Sequence, residues 1–204
     1  VLPSARDANA MLQQPRSAYV LYGIEPGLDF ANQQVALKAL SAAKVVAFSQ
    51  FACQSTRDVA DVILPIGALP EIEATLTNLD GIEQSTSAAG KLQGQAHSGW
   101  RVLRALGGDL KLAGFEFTDL AGLRASLQSK AVNVAAGDAP TVAGNGLELV
   151  VSQAIYRGDA VLRRCESLQV HPLTRGAYAL LNPTDAAQYG VAEGAMVKFS
   201  AASG

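Results

Sequence analysis

Three short apolar runs set the main constraint: SAYVLYG at 17–23, KVVAFSQ at 44–50 and DVILP at 61–65. Each is rich in β-branched and aromatic residues and ends at a turn former, a polar residue or a proline, the pattern of a strand. The segments between them read as helices. FANQQVALKALSAA, at 30–43, places Ala36, Leu37, Leu40 and Ala43 on one helical face, and Asp29 stands where an N-cap belongs. STRDVA, at 55–60, gives one short helical turn. This β-α-β-α-β rhythm argues for a parallel sheet with helices on its faces. The unbroken apolar stretch of KVVAFSQ suits a strand buried on both faces. The predicted class is therefore α/β: a Rossmann-like, mostly parallel sheet with helices on both faces.

The rest of the chain adds smaller elements. Ser98 can cap a helix through GWRVLRAL that ends at Gly107 and Gly108, and a second helix starts at Thr118 or Asp119 with Leu120, Leu123 and Leu127 on one side. VNVAAGDAPTVAGNG, at 132–146, is small and turn-rich and reads as a surface connection. LELVVSQAIY reads as a strand, and Asp159 caps a helix in which Val161, Leu162, Cys165 and Leu168 share a face. AYALLN is the next predicted strand. Asn182 and Pro183 then start a short helix, stopped at Gly190, before a last turn and strand in EGAMVKFSA with Val197 and Phe199 on one side. These readings divide the chain into an α/β domain over 1–172 and a segment of different kind over 173–204. The valine at the start, and an end just after a predicted strand, are expected of part of a longer protein.

Composition narrows the function. Sixteen Lys and Arg against 18 Asp and Glu leave a formal charge of −2, so no basic field for nucleic acid is expected. No apolar run reaches the ~20 residues of a spanning helix, and no direct membrane insertion is expected. The two cysteines, Cys53 and Cys165, lie far apart and His97 and His171 are the only histidines, which is too few ligands for a cluster or a structural zinc. Cys53, at a strand end near Arg57, and Cys165, on an apolar stripe, both read as packed thiols. Trp100 reads as a core anchor. No G-x-G-x-x-G, P-loop or G-x-S-x-G motif occurs. The carboxylates Glu71, Glu73, Asp80 and Glu83 are irregularly spaced with no histidine nearby, which favours solvated charges over acid–base chemistry.

One long pattern goes further. ADVILP, then EIEATLTNLDGIEQ, then GWRVLRALGG resembles the molybdopterin oxidoreductase superfamily, whose pattern is A-D-V-V-L-P, E-x-x-G-T-x-x-N-x-E-G-R and W-x-x-L. Ala60 to Pro65 match the strand. Glu73, Thr75, Asn78 and Gly81 match the second segment, with Asp80 in place of its acid, and Trp100 and Leu103 match the helix. The resemblance implies that Glu73, Thr75, Asn78, Asp80 and Gly81 form the loop that once faced the cofactor, at the carboxyl edge of the sheet. Two positions depart from the pattern. Ala74 replaces a glycine, and Ile82 replaces an arginine suited to phosphate or pterin groups.

ANAMLQQPRSAYVLYGIEPGLDFA, SGWRVLRALG and AIYRGDAVLRRCESLQ are similar to one branch, the large iron–sulfur subunit of bacterial NADH:quinone oxidoreductase, respiratory complex I. LNPTDAAQYGVAEGAMVKFS is similar to the opening of the superfamily's C-terminal dinucleotide-binding barrel. The branch implies a structural role without catalytic residues, cofactor or metal in this stretch. It implies [4Fe-4S] and [2Fe-2S] clusters in an N-terminal part of the parent subunit, the other peripheral-arm subunits as partners, and a place on the cytoplasmic side of the inner membrane. The alternatives are a fragment of a true molybdopterin enzyme, a formate dehydrogenase or nitrate reductase relative, and a stand-alone nucleotide-binding module.

Overall fold

The computed structural model describes residues 6–78, 80–127, 146–174, 176 and 178–200. The chain divides into two compact units, Val1–Leu149 and Val150–Gly204. The first is α/β, as the sequence pattern predicts. Its strands β1 (Ala18–Tyr22), β2 (Lys44–Ser49) and β3 (Val62–Pro65) form a parallel sheet in the order β1-β2-β3. Helix α1 (Ala8–Gln13) precedes β1, α2 (Gln33–Ser41) joins β1 to β2, and α3 (Gln54–Val59) joins β2 to β3. Both crossovers step the same way across the sheet, so right-handed connections put α2 and α3 on one face, and the two helices touch.

That face holds the core. In register, Tyr19 lies beside Val45 and Leu21 beside Ala47. They pack with Ala39 and Leu40 of α2 and Val59 of α3, with Met11 and Leu12 of α1 at the margin. Alternate strand residues point to the other face. There Phe48 is fully buried, with its ring centroid 5.7 Å from that of Tyr22, while Val20 is 65% exposed. Gly99 opens α4 (Gly99–Asp109) against the Tyr22 hydroxyl, so closely that a Cβ would fall on it. Helices thus meet both faces of the sheet. Beyond Pro65 a parallel bridge joins Ile66 to His97, and Gly67 N donates to His97 O at 2.9 Å. This bridge fixes where α4 starts.

Several elements differ from the sequence reading. α2 is capped by Asn32, whose side chain accepts from Val35 N at 3.0 Å, rather than by Asp29. Asp29 instead accepts from Glu25 N inside the preceding loop, which turns too tightly to run into the helix. Gly107 and Gly108 lie within α4 and do not stop it. The ring of Phe115 packs where a Cβ of Gly107 would stand, and the helix closes two residues later, with Lys111 in the left-handed region at φ 54°. Trp100 is half-buried rather than a core anchor. It belongs to an outlying aromatic group, 6.1 Å from Phe117, and Arg101 stacks over its ring at 4.7 Å. α5 (Leu120–Ser126) starts as expected, with Asp119 accepting from Gly122 N at 2.7 Å. Of the predicted connection over 132–146, only residue 146 lies among the described residues.

The second unit holds no strand among its described residues. Val150 and Val151, expected in a strand with Leu149 of the first unit, are 79% and 81% exposed and make no ladder. The helix expected after Asp159 is broken at Cys165, whose φ of −85° and ψ of 100° are extended. What forms is a turn at Leu162–Arg164 followed by one turn of helix, α6 (Glu166–Gln169). Cys165 therefore lies at a break in the chain and not on a continuous apolar stripe. Gln169 organises the fold here: its Nε2 donates to Tyr156 O at 3.0 Å and to Leu162 O at 2.7 Å. The stretches predicted as strands over 177–182 and 193–201 form none where described, and no closed barrel is seen among the described residues. Short apolar runs without a partner strand have no ladder to join and leave their backbone hydrogen bonds to water; Leu180 is 87% exposed and Met196 99%. α7 (Pro183–Gln188) does form between them, with Asn182 accepting from Thr184 N at 2.9 Å.

Candidate functional site

Open parallel sheets bind ligands at the carboxyl ends of their strands. Here three segments converge on that edge. The loop after β1 begins at Gly23, in the left-handed region at φ 65°, whose N–H donates to Phe48 O at 2.8 Å. It then folds back on itself, with Leu28 N and Asp29 N both donating to Glu25 O. Gly27 N donates to Ser55 Oγ at 3.0 Å, and a Cβ at Gly27 would press on Ser55, so glycine lets this loop lie against the first turn of α3. Glu25 is 2% exposed beneath it.

Cys53 stands at the start of α3 beside this loop. Its Sγ lies 3.3 Å from Ser55 Oγ and 3.2 Å from Thr56 Oγ1. Partial burial pushes the thiol up, but the hydroxyls of Ser55 and Thr56 outweigh it, and the net shift is below the ordinary thiol value. Cys165 is likewise lowered, chiefly by the Ser167 hydroxyl at 3.3 Å. Both cysteines are free.

The candidate residues from the sequence pattern come after β3. They form a structure the sequence reading missed, a β-hairpin. β4 (Ala74–Thr77) pairs antiparallel with β5 (Glu83–Thr86). Glu73 leads into it. Thr75 sits on β4, with Oγ1 3.1 Å from Ser85 Oγ across the ladder. Asn78, Asp80 and Gly81 make the turn. Asn78 Oδ1 accepts from both Asp80 N and Ile82 N at 2.9 Å, its backbone O accepts from Gly81 N at 3.0 Å, and Gly81 takes φ 79°. The structure thus brings Thr75, Asn78, Asp80 and Gly81 together in one hairpin, with Glu73 at its base. Leu76–Gln84 and Asn78–Ile82 fall on one face, while Thr75–Ser85 and Thr77–Glu83 fall on the other. The alternation of Thr, Leu and Thr against Glu, Gln and Ser carried the only signal for it, and it is weak because neither strand is buried.

This hairpin does not suit an anionic, phosphate-bearing pterin. The N–H groups of Asp80, Gly81 and Ile82 are all spent on Asn78. The stretch between Arg57 and Lys91 has no cation and carries Asp58, Asp61, Glu71, Glu73, Asp80 and Glu83. Ile82, 57% exposed, ends the turn with an apolar side chain. Among the described residues, no group of three His, Cys, Asp or Glu side chains is placed to hold a metal ion. A shallow depression of about 500 Å³ lies nearby, lined by Leu64, Pro65, Gly94, Gln95, His97 and Val102.

The first unit is thus an α/β domain, a parallel sheet followed in the chain by a polar hairpin. The family model of the molybdopterin oxidoreductases matches residues 3–109, over half of the chain and the whole of this sheet and hairpin. The chain belongs to the molybdopterin oxidoreductase family. No curated protein matches it significantly in sequence. No helix among the described residues is long and apolar enough to cross a membrane.

Proposed function

We propose that this chain is a structural part of the large iron–sulfur subunit of a bacterial NADH:quinone oxidoreductase. That enzyme passes electrons from NADH through iron–sulfur clusters to quinone and couples this to proton translocation. In this reading the [4Fe-4S] and [2Fe-2S] clusters sit in another part of the parent subunit. The α/β unit braces that part and meets other peripheral-arm subunits on the cytoplasmic side of the inner membrane. The observation that carries the proposal is the hairpin turn. Its N–H donors are consumed by Asn78, the sequence between Arg57 and Lys91 holds carboxylates and no cation, and Ile82 stands where the family pattern has a cation. A domain that keeps a specified core but spends its loop donors internally is best explained as scaffold, on the strength of the site rather than of the fold.

The test uses the parent complex. Phe48→Ala in the core lowers the amount of assembled complex, while turnover per assembled complex stays at the wild-type value. A true molybdopterin enzyme instead yields a pterin fluorophore on denaturation and stoichiometric molybdenum by elemental analysis; finding either with the parent protein refutes the scaffold reading.

A further inference from the structure

The hairpin turn carries a site of covalent change. Asp80 is the only aspartate of the chain followed by glycine; the others precede Ala, Val, Leu or Phe. A side chain on the following residue hinders ring closure between an aspartate and the next main-chain nitrogen, and glycine has none. Asp80 and Gly81 are both exposed, Gly81 lies at φ 79°, and nothing stands within 4 Å of where its Cβ would be. The length of the acid matters as much. The family pattern has a glutamate here, which would have to close a larger and less favoured ring than the five-membered ring open to aspartate. The turn itself opposes the reaction. Gly81 N donates to Asn78 O at 3.0 Å, and Asn78 Oδ1 holds Asp80 N and Ile82 N at 2.9 Å. Attack therefore waits on opening of the turn. Opening is easy, because the hairpin is two short, almost wholly exposed strands, and a two-stranded ribbon is marginally stable in water.

We propose that Asp80 is a site of spontaneous isoaspartate formation and that Asn78 sets its rate. The Gly81 nitrogen, its proton lost to water, attacks Cγ of the protonated Asp80 carboxyl. The N–Cγ bond forms and the carboxyl hydroxyl leaves with a proton as water, closing a succinimide. A second water then adds to one of the two ring carbonyls. Breaking the N–Cγ bond restores aspartate, and breaking the bond between N and the α-carbonyl gives isoaspartate. One water leaves and one enters, so the mass is unchanged and neither oxidant nor reductant is needed. In the product the main chain runs through Cβ and Cγ of residue 80, one atom longer, and the former α-carbonyl is a free carboxylate. The added atom falls between Asn78 and Ile82, which disrupts the turn that Asn78 holds and the register of β4 against β5.

Peptide mapping decides it. The 204-residue chain is kept for weeks at physiological temperature and slightly acidic pH, beside a synthetic peptide of residues 76–86 as the clock. Both are then sequenced by electron-transfer fragmentation, which tells the two isomers apart. Trypsin releases the piece between Arg57 and Lys91, which holds Asp58, Asp61 and Asp80. Isoaspartate is expected at Asp80 ahead of Asp58 and Asp61, and absent at this position in Asp80→Glu. In Asn78→Ala it should form about two- to tenfold faster, the factor equivalent to one net hydrogen bond. Unchanged Asp80 in the chain once the peptide has isomerised overturns the proposal. So does an Asn78→Ala rate equal to that of wild type.

Discussion

Cys53 shows how a residue's chemistry is set by its neighbours. Burial alone would raise its pKa, but the hydroxyls of Ser55 and Thr56 at 3.3 and 3.2 Å bring it below that of a free thiol. More thiolate is then present at neutral pH. The pH midpoint for alkylation of Cys53, followed by peptide mapping, is expected below the ordinary thiol value of about 8.5, and Ser55→Ala should move it up. Asp61 is the second case. Lys44 Nζ at 2.9 Å and Val45 N at 2.8 Å hold its carboxyl below the usual range and raise Lys44. A depressed carboxylate stabilises above its unfolded pKa, and that contribution is lost as pH falls through the folded value. A raised lysine acts below its unfolded value and loses its effect as pH rises beyond it. Urea unfolding from about pH 6 down to about pH 2 should therefore show a shallower loss of stability in Asp61→Asn than in wild type. In the sequence Asp61 is legible only as the start of a strand. Its pairing depends on β2 and β3 lying side by side, which spacing alone does not reveal.

At the scale of elements, α4 and α7 end in the same way with different residues. In α7, Gly190 N donates to Ala187 O and Val191 N to Ala186 O, with Gly190 in the left-handed region. In α4, Lys111 N donates to Gly108 O and Leu112 N to Gly107 O, and the left-handed position falls to Lys111. Both are Schellman closures. The stop at Gly190 is readable because glycine stands at the left-handed position. The stop of α4 is not, because its glycines serve contact with Phe115 instead. Lys111→Gly should relieve a left-handed penalty and stabilise the chain by roughly 0.5–1 kcal/mol in denaturant unfolding. The hairpin is half readable. The pattern places Thr75, Asn78, Asp80 and Gly81 in one segment, but two exposed four-residue strands give only the faint alternation of Thr75, Leu76 and Thr77 to announce themselves. Asn78→Ala removes the acceptor for two N–H groups, which water replaces only in part. A loss of about 0.5–1.5 kcal/mol in local protection is expected from hydrogen exchange of Asp80 and Ile82 amides.

Across the whole molecule, the legible part is the sheet unit. β2 is largely buried and reads as a continuous apolar run, and β1 buries Tyr19 and Leu21 against α2 while Val20 stays exposed. Among its described residues the second unit has few that are buried, with Ala160 and Thr174 at 8% and 3% exposed, and its apolar runs form no strands there, since strand propensity without a neighbouring strand gains no ladder over hydrogen bonds to water. Stability should follow this division. Phe48→Ala, at a fully buried site on the central strand, is expected to cost ~3–5 kcal/mol, while Trp100→Ala, half-buried in an outlying cluster, should cost ~2 kcal/mol. The central claim is that the family's cofactor loop survives here as scaffold, and one measurement bears on it most directly: turnover per assembled complex in the parent enzyme carrying Glu73→Gln together with Asp80→Asn. Turnover equal to wild type, with assembly and cluster content unchanged, is the predicted result; loss of electron transfer in a complex that is normally assembled and fully loaded with clusters would contradict it and assign chemistry to this hairpin.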